Sequence, residues 1–321
     1  SRPGWAFPAS VQRPPVVKPG SDMAAGFAAA DTVAEGTLDI GSQYHFHMEP
    51  QAVLVTPIEG GLAVDAACQA PTVIQKQVAL TAGLNTAEVT VNSRRSGGAF
   101  GGKITSPSSP AAMAALAAQE LQLPVRILLR AREGMAGYGA RPLYTADYKV
   151  GAKKDGTLTA LDITINLATG YACSGAGFEA GDVLANIDNA YNIPNLTARG
   201  VMLKSNTPPT TSMRGPGWIQ SIAFSELLMN GLASKMQMDP VALRTKNFFA
   251  NGDVTGNGMK IDNATVETMW AQAQQSATWT QRQADVLEFN QSNKFVKRGI
   301  AITPCRFGIA WGPSYNSLVT V

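Results

Sequence analysis

Ten residues, Arg94-Arg95-Ser96-Gly97-Gly98-Ala99-Phe100-Gly101-Gly102-Lys103, set four glycines around one aromatic. They follow an alternating run, Ala87-Glu88-Val89-Thr90-Val91-Asn92-Ser93, whose period of two predicts a strand with one face buried. They precede a helical run rich in alanine, with Ser109 as N-cap, Pro110 at the first helical position and Pro124 as its stop. Met113, Leu116, Leu121 and the alanines give that helix a small-residue face suited to close packing on a sheet. Glycines between a strand and a helix serve a backbone that needs positive φ or that approaches a ligand closely. Phe100 would then meet that ligand with its face or edge. A glycine-rich turn around a core aromatic is the other reading of the same residues.

The rest of the chain mixes the two periods. Residues 1–20 carry five prolines and read as an extended lead-in; with a helix over 22–34 they make a linker over 1–35. A strand pair is expected over 36–44 and 52–57, then a strand over 62–67, a helix over 72–82 and a strand over 125–132. Strands over 144–149 and 158–166 form a hairpin around Lys153-Lys154-Asp155-Gly156, because Asp-Gly suits a tight turn. Helices follow over 218–236, 240–249 (capped by Asp239), 264–274 and 280–290. Strands and helices interleave without a strict βαβ rhythm or an internal repeat, which predicts an α+β fold of layered mixed sheets and helices. Residues 36–296 form the expected first domain, and a strand over 298–304 opens a second, truncated one over 297–321. A last strand over 317–321 has no partner, as in a fragment of something longer.

Composition removes several functions. A net charge of +3 without a dense Lys/Arg cluster gives no basis for nucleic-acid or membrane-surface binding. No apolar run reaches the length of a membrane span, and no basic-then-apolar leader opens the chain. Cys68, Cys173 and Cys305 are far apart and make neither a disulfide framework nor a metal-ligand spacing, so reduced thiols in a cytoplasmic protein are expected. With only His45 and His47, a conventional zinc site is not expected.

Three further constellations bear chemistry. In Gln43-Tyr44-His45-Phe46-His47-Met48-Glu49-Pro50 the two histidines would share one face of a strand. They suit a metal or acid–base work, but hydrogen-bonded structural histidines are preferred, with Glu49 a satisfied carboxylate. Gln69, in Cys68-Gln69-Ala70-Pro71, stands between a strand and a helix and offers both an amide donor and an acceptor. Arg214, in Thr207-Pro208-Pro209-Thr210-Thr211-Ser212-Met213-Arg214-Gly215-Pro216-Gly217, precedes a helix whose start suits an anion. Read together, these features supply donors rather than acids, and point to an anionic ligand with oxo or phosphate oxygens.

Taken in order, Tyr44 to Pro50, Cys68-Gln69-Ala70-Pro71, Gly97 to Lys103, Asn189-Ala190-Tyr191-Asn192-Ile193-Pro194-Asn195, Ser212-Met213-Arg214-Gly215, Arg244-Thr245-Lys246-Asn247 and Pro304-Cys305-Arg306-Phe307-Gly308-Ile309 resemble the molybdenum hydroxylases. That family includes the xanthine dehydrogenases and aldehyde oxidases, and the resemblance covers essentially the whole chain. It implies a molybdopterin-binding region, with FAD and 2Fe–2S clusters on other domains or subunits of a homodimeric assembly. Carried over residue by residue, Gln69, Gly98, Phe100, Gly101 and Arg214 would bind the cofactor. Gln69, Phe100 and Arg214 would lie against the molybdenum centre without ligating the metal.

The departures concern the substrate. The resemblance places Ile104, Asp182, Pro216, Trp311 and Gly312 in its pocket. Ile104 stands where xanthine dehydrogenases carry a glutamate, and Asp182 near their substrate-orienting arginine. Pro216 and Trp311 replace the two aromatics that sandwich a purine. Loss of both polar anchors points to an aldehyde or an N-heterocycle, as in the aldehyde-oxidase branch. Purine oxidation and a non-catalytic structural relative are the alternatives. A free-standing sugar or nucleotide module would need another glycine spacing. The family's catalytic glutamate and a further glycine-rich cofactor loop are absent and expected beyond Val321, in the remaining half of the molybdenum region. The chain by itself is therefore not expected to turn over substrate.

Overall fold

The computed structural model describes residues 10–308 and contains two mixed sheets with helices packed on them. The larger sheet has five strands in the order β1 (Ser10–Val17), β9 (Asn195–Lys204), β8 (Leu158–Gly170), β7 (Tyr144–Ala152) and β2 (Thr32–Ile40). Its pairs are antiparallel except β8–β9. The Asp155-Gly156 turn joins β7 to β8 as expected, with Gly156 at φ 89°. Both edges of this sheet come from the first forty residues. Residues 10–17 are thus sheet rather than lead-in. Pro14 and Pro15 hid the strand, because they fall where the β1–β9 register slips between Arg13 and Val16. An edge strand tolerates residues that cannot donate to the ladder.

The expected helix over 22–34 is only α1 (Met23–Ala28), capped by Asp22 Oδ1 accepting from Ala25 N at 3.0 Å. The β-branched pair Thr32-Val33 already belongs to β2. In β8, Leu161, Ile163, Ile165 and Leu167 are buried on one face. They share a core with Val183 and Leu184 of α5 (Ala176–Ala185) and with Phe224, Leu228 and Leu232 of α6 (Trp218–Met236).

The smaller sheet runs β5 (Val89–Asn92), β4 (Gly61–Ala66), β3 (Ala52–Ile58), β6 (Val125–Leu128), with β4–β5 parallel. β2 and β3 therefore lie in different sheets, not in the expected pair. Helices α2 (Pro71–Ala82) and α3 (Ser108–Leu121) supply Ile74, Val78, Ala111, Ala114, Ala115 and Ala118 to a second core against Val53, Val55 and Val64. Alanines let α3 sit close to the strands. α3 starts two residues earlier than read, at Ser108, so Pro110 is in its first turn but not first. It stops at Leu121, where Gln122 turns left-handed at φ 54°, before Pro124 is reached.

β6 ends at Leu128, and the rest of the expected strand becomes α4 (Ala131–Gly137), where the Glu133 carboxylate accepts from Arg130 N at 2.7 Å. α7 (Pro240–Lys246) is capped by Asp239 and is shorter than read; α8 (Val266–Ser276) and α9 (Trp279–Ser292) fall where expected. Residues 298–304 form no strand. Side chains hold this segment instead: Asn189 donates to Pro304 O at 3.0 Å and accepts from Arg306 N at 2.9 Å. The strand expected over 317–321 lies outside the described residues. Among the described residues, no helix is long and apolar enough to cross a membrane.

Candidate functional site

The glycine segment joins β5 to α3 and is braced by Gln69, which stands between β4 and α2. Gln69 Oε1 accepts from Gly101 N at 2.9 Å and from Lys103 N at 3.2 Å, and Gln69 N donates to Lys103 O at 2.9 Å. The side chain is exposed, and its Nε2 has no partner among the described residues. Gly101 sits at φ 99°, and a Cβ there would lie 2.1 Å from Ser212 O. That near-contact seats the glycine segment against the loop that carries Arg214.

Phe100 lies between the two. Its carbonyl accepts from Arg214 N at 2.9 Å, its φ is 54°, and the residue is 45% exposed. A core aromatic would be buried in an ordinary conformation. A non-glycine residue at positive φ costs about 1 kcal/mol or more, so this strained, outward aromatic matches a ligand-facing wall better than a packed turn. Gln69, Phe100 and Arg214 are thus exposed side by side, with Gly98 half-buried next to them and Gly101 buried between the two loops.

A second brace reaches the segment from the histidine stretch. Glu49 Oε2 accepts from Lys103 Nζ at 2.6 Å and from Gly97 N at 2.8 Å; Lys103 is fully buried. Burial pushes the Glu49 carboxyl up, but the Lys103 ammonium and the Gly97 N–H outweigh it and hold the group below its ordinary value. His45 is buried and donates from Nε2 to Ser212 O at 2.8 Å. Burial lowers its pKa against the pull of that carbonyl, so the ring is a neutral Nε2–H donor at neutral pH. Phe46 at φ 49° breaks the strand that would have put His45 and His47 on one face. No group of three metal-ligating side chains occurs among the described residues. His45 is thus a hydrogen-bonded ring as expected, whereas the His47 Nδ1 is buried without a partner among the described residues.

The Arg214 loop rests on two buried charges that the sequence reading did not single out. Arg141, 2% exposed, donates Nη2 to Arg214 O at 2.7 Å and Nε to Gln43 Oε1 at 3.2 Å. Glu179 of α5 accepts from Met213 N at 3.2 Å and from Tyr144 Oη at 2.5 Å. Burial raises the Glu179 pKa to about 7, against the opposing pull of Tyr144, Met213 N–H and Arg141. The only hint in the sequence is one charged residue in the small-residue run Ala176-Gly177-Phe178-Glu179-Ala180.

Arg214 itself is exposed and makes no ion pair among the described residues. Asp182, one turn along α5, is half-buried, and burial raises it to about 6. It packs on the start of α6, where a Cβ on Gly217 would lie 2.4 Å from its own Cβ. Pro216 is buried beside it, and Ile104 is half-buried at the end of the glycine segment. Trp311 and Gly312 lie outside the described residues.

Comparison with known proteins identifies the family of this chain. A family model described as the molybdopterin cofactor-binding domain matches residues 9–248. Xanthine dehydrogenase of Oryza sativa subsp. japonica is 33% identical over 285 residues, covering 88% of this chain and 21% of the relative. Aldehyde oxidase 3 of Mus musculus is 33% identical over 291 residues, covering 90% and 22%. The chain spans about a fifth of the length of these curated relatives. The solved aldehyde oxidoreductase from Desulfovibrio gigas superposes with a TM-score of 0.77 at 28% identity, covering 89% of this chain and 30% of that one. Quinoline 2-oxidoreductase from Pseudomonas putida 86 shares the fold at a TM-score of 0.78 and 18% identity, covering 88% and 36%. A match over three quarters of its residues, on the segments that carry the wall, means that this chain belongs to the molybdopterin cofactor-binding domain family.

Proposed function

We propose that this chain forms the cofactor-facing wall of a molybdenum hydroxylase, and that the complete enzyme oxidises an aldehyde or an N-heterocycle with oxygen drawn from water. The observation that carries this reading is the lacing of Gln69, the glycine segment and the Arg214 loop around an exposed Phe100. The residues present fit a molybdopterin. The wall offers an unpartnered amide donor at Gln69, an unpaired guanidinium at Arg214 and partly exposed backbone at Gly98, with Gly101 buried behind it as the seat of the Arg214 loop. Of the carboxylates beside the two loops, Glu49 is taken by Lys103, and Glu179 by Tyr144 and the Met213 N–H. Donors without free acids suit a planar ligand rich in acceptor oxygens and negative charge.

When bound, the cofactor would supply the two-electron oxidation and the activated oxygen. Gln69 Nε2 would donate to it, Arg214 would balance its charge, and Phe100 with the glycines would limit how it sits. None of the three would ligate the metal directly. Lys103 and Glu49 would keep the segment from shifting.

Identity does not separate the two branches, since the dehydrogenase and the oxidase match equally well. Two residues support the aldehyde or N-heterocycle reading. Ile104 is apolar and half-buried where a purine would need a polar anchor, and Asp182 presents a carboxylate where the resemblance expects an arginine. Pro216, Trp311 and Gly312 complete the proposed pocket. More than three quarters of the relatives' length lies outside this chain, which leaves room for 2Fe–2S and FAD domains and for the catalytic glutamate. A homodimeric, cytoplasmic assembly is part of the proposal and rests on the resemblance alone.

The first test is metal analysis of the intact polypeptide that carries this chain. Stoichiometric molybdenum is expected, and none in a freshly prepared assembly would sink the reading in favour of a non-catalytic relative. The second is Ile104→Glu, which should move substrate preference towards purines. An unchanged substrate profile would remove Ile104 from the pocket.

A further inference from the structure

A separate cavity of about 420 Å³ opens on the α2–α3 side of the glycine segment. It shares no lining residue with Gln69, Phe100, Ile104, Asp182, Arg214 or Pro216. No charged side chain lines it. Its polar groups are chiefly the hydroxyls of Thr105, Ser106, Ser109 and Ser174 and the phenols of Tyr138 and Tyr171, with one neutral amide, Gln77. The Thr105 and Ser174 hydroxyls are hydrogen-bonded at 2.6 Å and tie the approach to α3 to the loop after β8. The Ser108 hydroxyl, in the same lining, is buried without a partner among the described residues. Burial holds the Tyr138 phenol above its ordinary pKa, so it remains a neutral donor.

We infer that this cavity is a second binding site, for a neutral planar molecule bearing hydroxyl or carbonyl groups, such as a phenol or an aromatic alcohol. The volume lies within the range of small-molecule sites, roughly 300–1,000 Å³. A charged ligand would lose hydration here with no opposite charge to replace it. Hydroxyls both donate and accept, so they match a ligand that does the same. The two tyrosine rings supply flat apolar surface for an aromatic body. Thr105 follows Ile104 directly, so the site abuts the proposed substrate wall without being part of it. The inference does not depend on the cofactor assignment.

Cys173 lines the cavity and is exposed, which makes it a reporter. Burial raises its thiol pKa, so alkylation is followed at alkaline pH. The intact polypeptide is treated with iodoacetamide, and the Cys173 peptide is quantified by mass spectrometry with and without 4-hydroxybenzyl alcohol. Modification should slow about tenfold when the alcohol is present at roughly ten times its dissociation constant. Benzoate should give no protection. Tyr171→Ala and, independently, Ser106→Val should each weaken protection by the alcohol; Tyr171 is 60% exposed, so its loss should leave the fold intact. No protection by the alcohol, equal protection by benzoate, or undiminished protection in both variants overturns the inference. A Cys173 that stays unmodified before any ligand is added also overturns it, because another segment then fills the cavity.

Discussion

The two loops that meet at Phe100 and Arg214 are held in opposite ways. The glycine segment is fixed by shape: a neutral amide gathers its N–H groups, and its seat exists because Gly101 has no side chain. Its one ion pair, Lys103 to Glu49, keeps the carboxylate 35% exposed. The Arg214 loop is fixed by charge, with Arg141 beneath its carbonyls and Glu179 beneath an N–H, both buried. One wall of the site should therefore be sensitive to volume and, once Glu49 is ionised, indifferent to pH, and the other the reverse.

The largest effect should come from filling the steric seat. Gly101→Val adds both positive-φ strain and a near-contact with the Ser212 carbonyl, and should destabilise the protein by roughly 3 kcal/mol or more in denaturant unfolding. Gly83→Ala, at φ 71° with open space around it, should cost only about 1 kcal/mol. Equal losses at the two positions would show that the loops are not seated on one another.

The charged wall should respond next. Glu179 rises from an ordinary 4.5 to about 7 in the folded state, so the folded protein holds its proton where the unfolded chain has released it. Stability contributed by the protonated form is complete below pH 4.5 and falls as pH rises towards about 7. Asp182, raised from 3.8 to about 6, acts with the same sign. In Glu179→Gln the slope of unfolding free energy against pH should flatten over that window. A slope identical to that of the unsubstituted protein would put its origin elsewhere.

The smallest stability effect, under about 1 kcal/mol, should be that of Phe100→Ala, because the ring is half in solvent and alanine carries the same positive-φ strain as phenylalanine. Molybdenum retention by the intact protein should nonetheless fall. Stability and retention falling together would return Phe100 to the role of a packing aromatic.

How far these features could be read in advance follows from what each one is made of. α6 and the Asp155-Gly156 hairpin are specified by local periodicity and turn chemistry, and both appear where expected. α5 has two glycines and two acidic residues in ten, and exists because the surrounding core buries it; no local pattern announces that. Gln69, Phe100 and Arg214 stood out because glycines and prolines set them off at transitions between elements, and the fold brings them together. Arg141 and Glu179 were not, because they act on carbonyl and N–H groups that almost every residue possesses. The mate of an unremarked buried charge is a backbone atom, and the sequence does not label it.

The placement of β1 has a consequence for how the molecule is made. Lys18, just past that strand, donates to Asn192 Oδ1 at 2.7 Å, 174 residues away, and to Ile193 O at 2.9 Å. During synthesis the strand must wait for β9, its only sheet neighbour, to emerge. Closure over so long a span is slow, and an unpaired edge in the interval invites pairing with another chain. Pro14 and Pro15 lack the N–H groups such a wrong partner would need. They serve as a safety catch on a strand that is translated long before its partner and docked late.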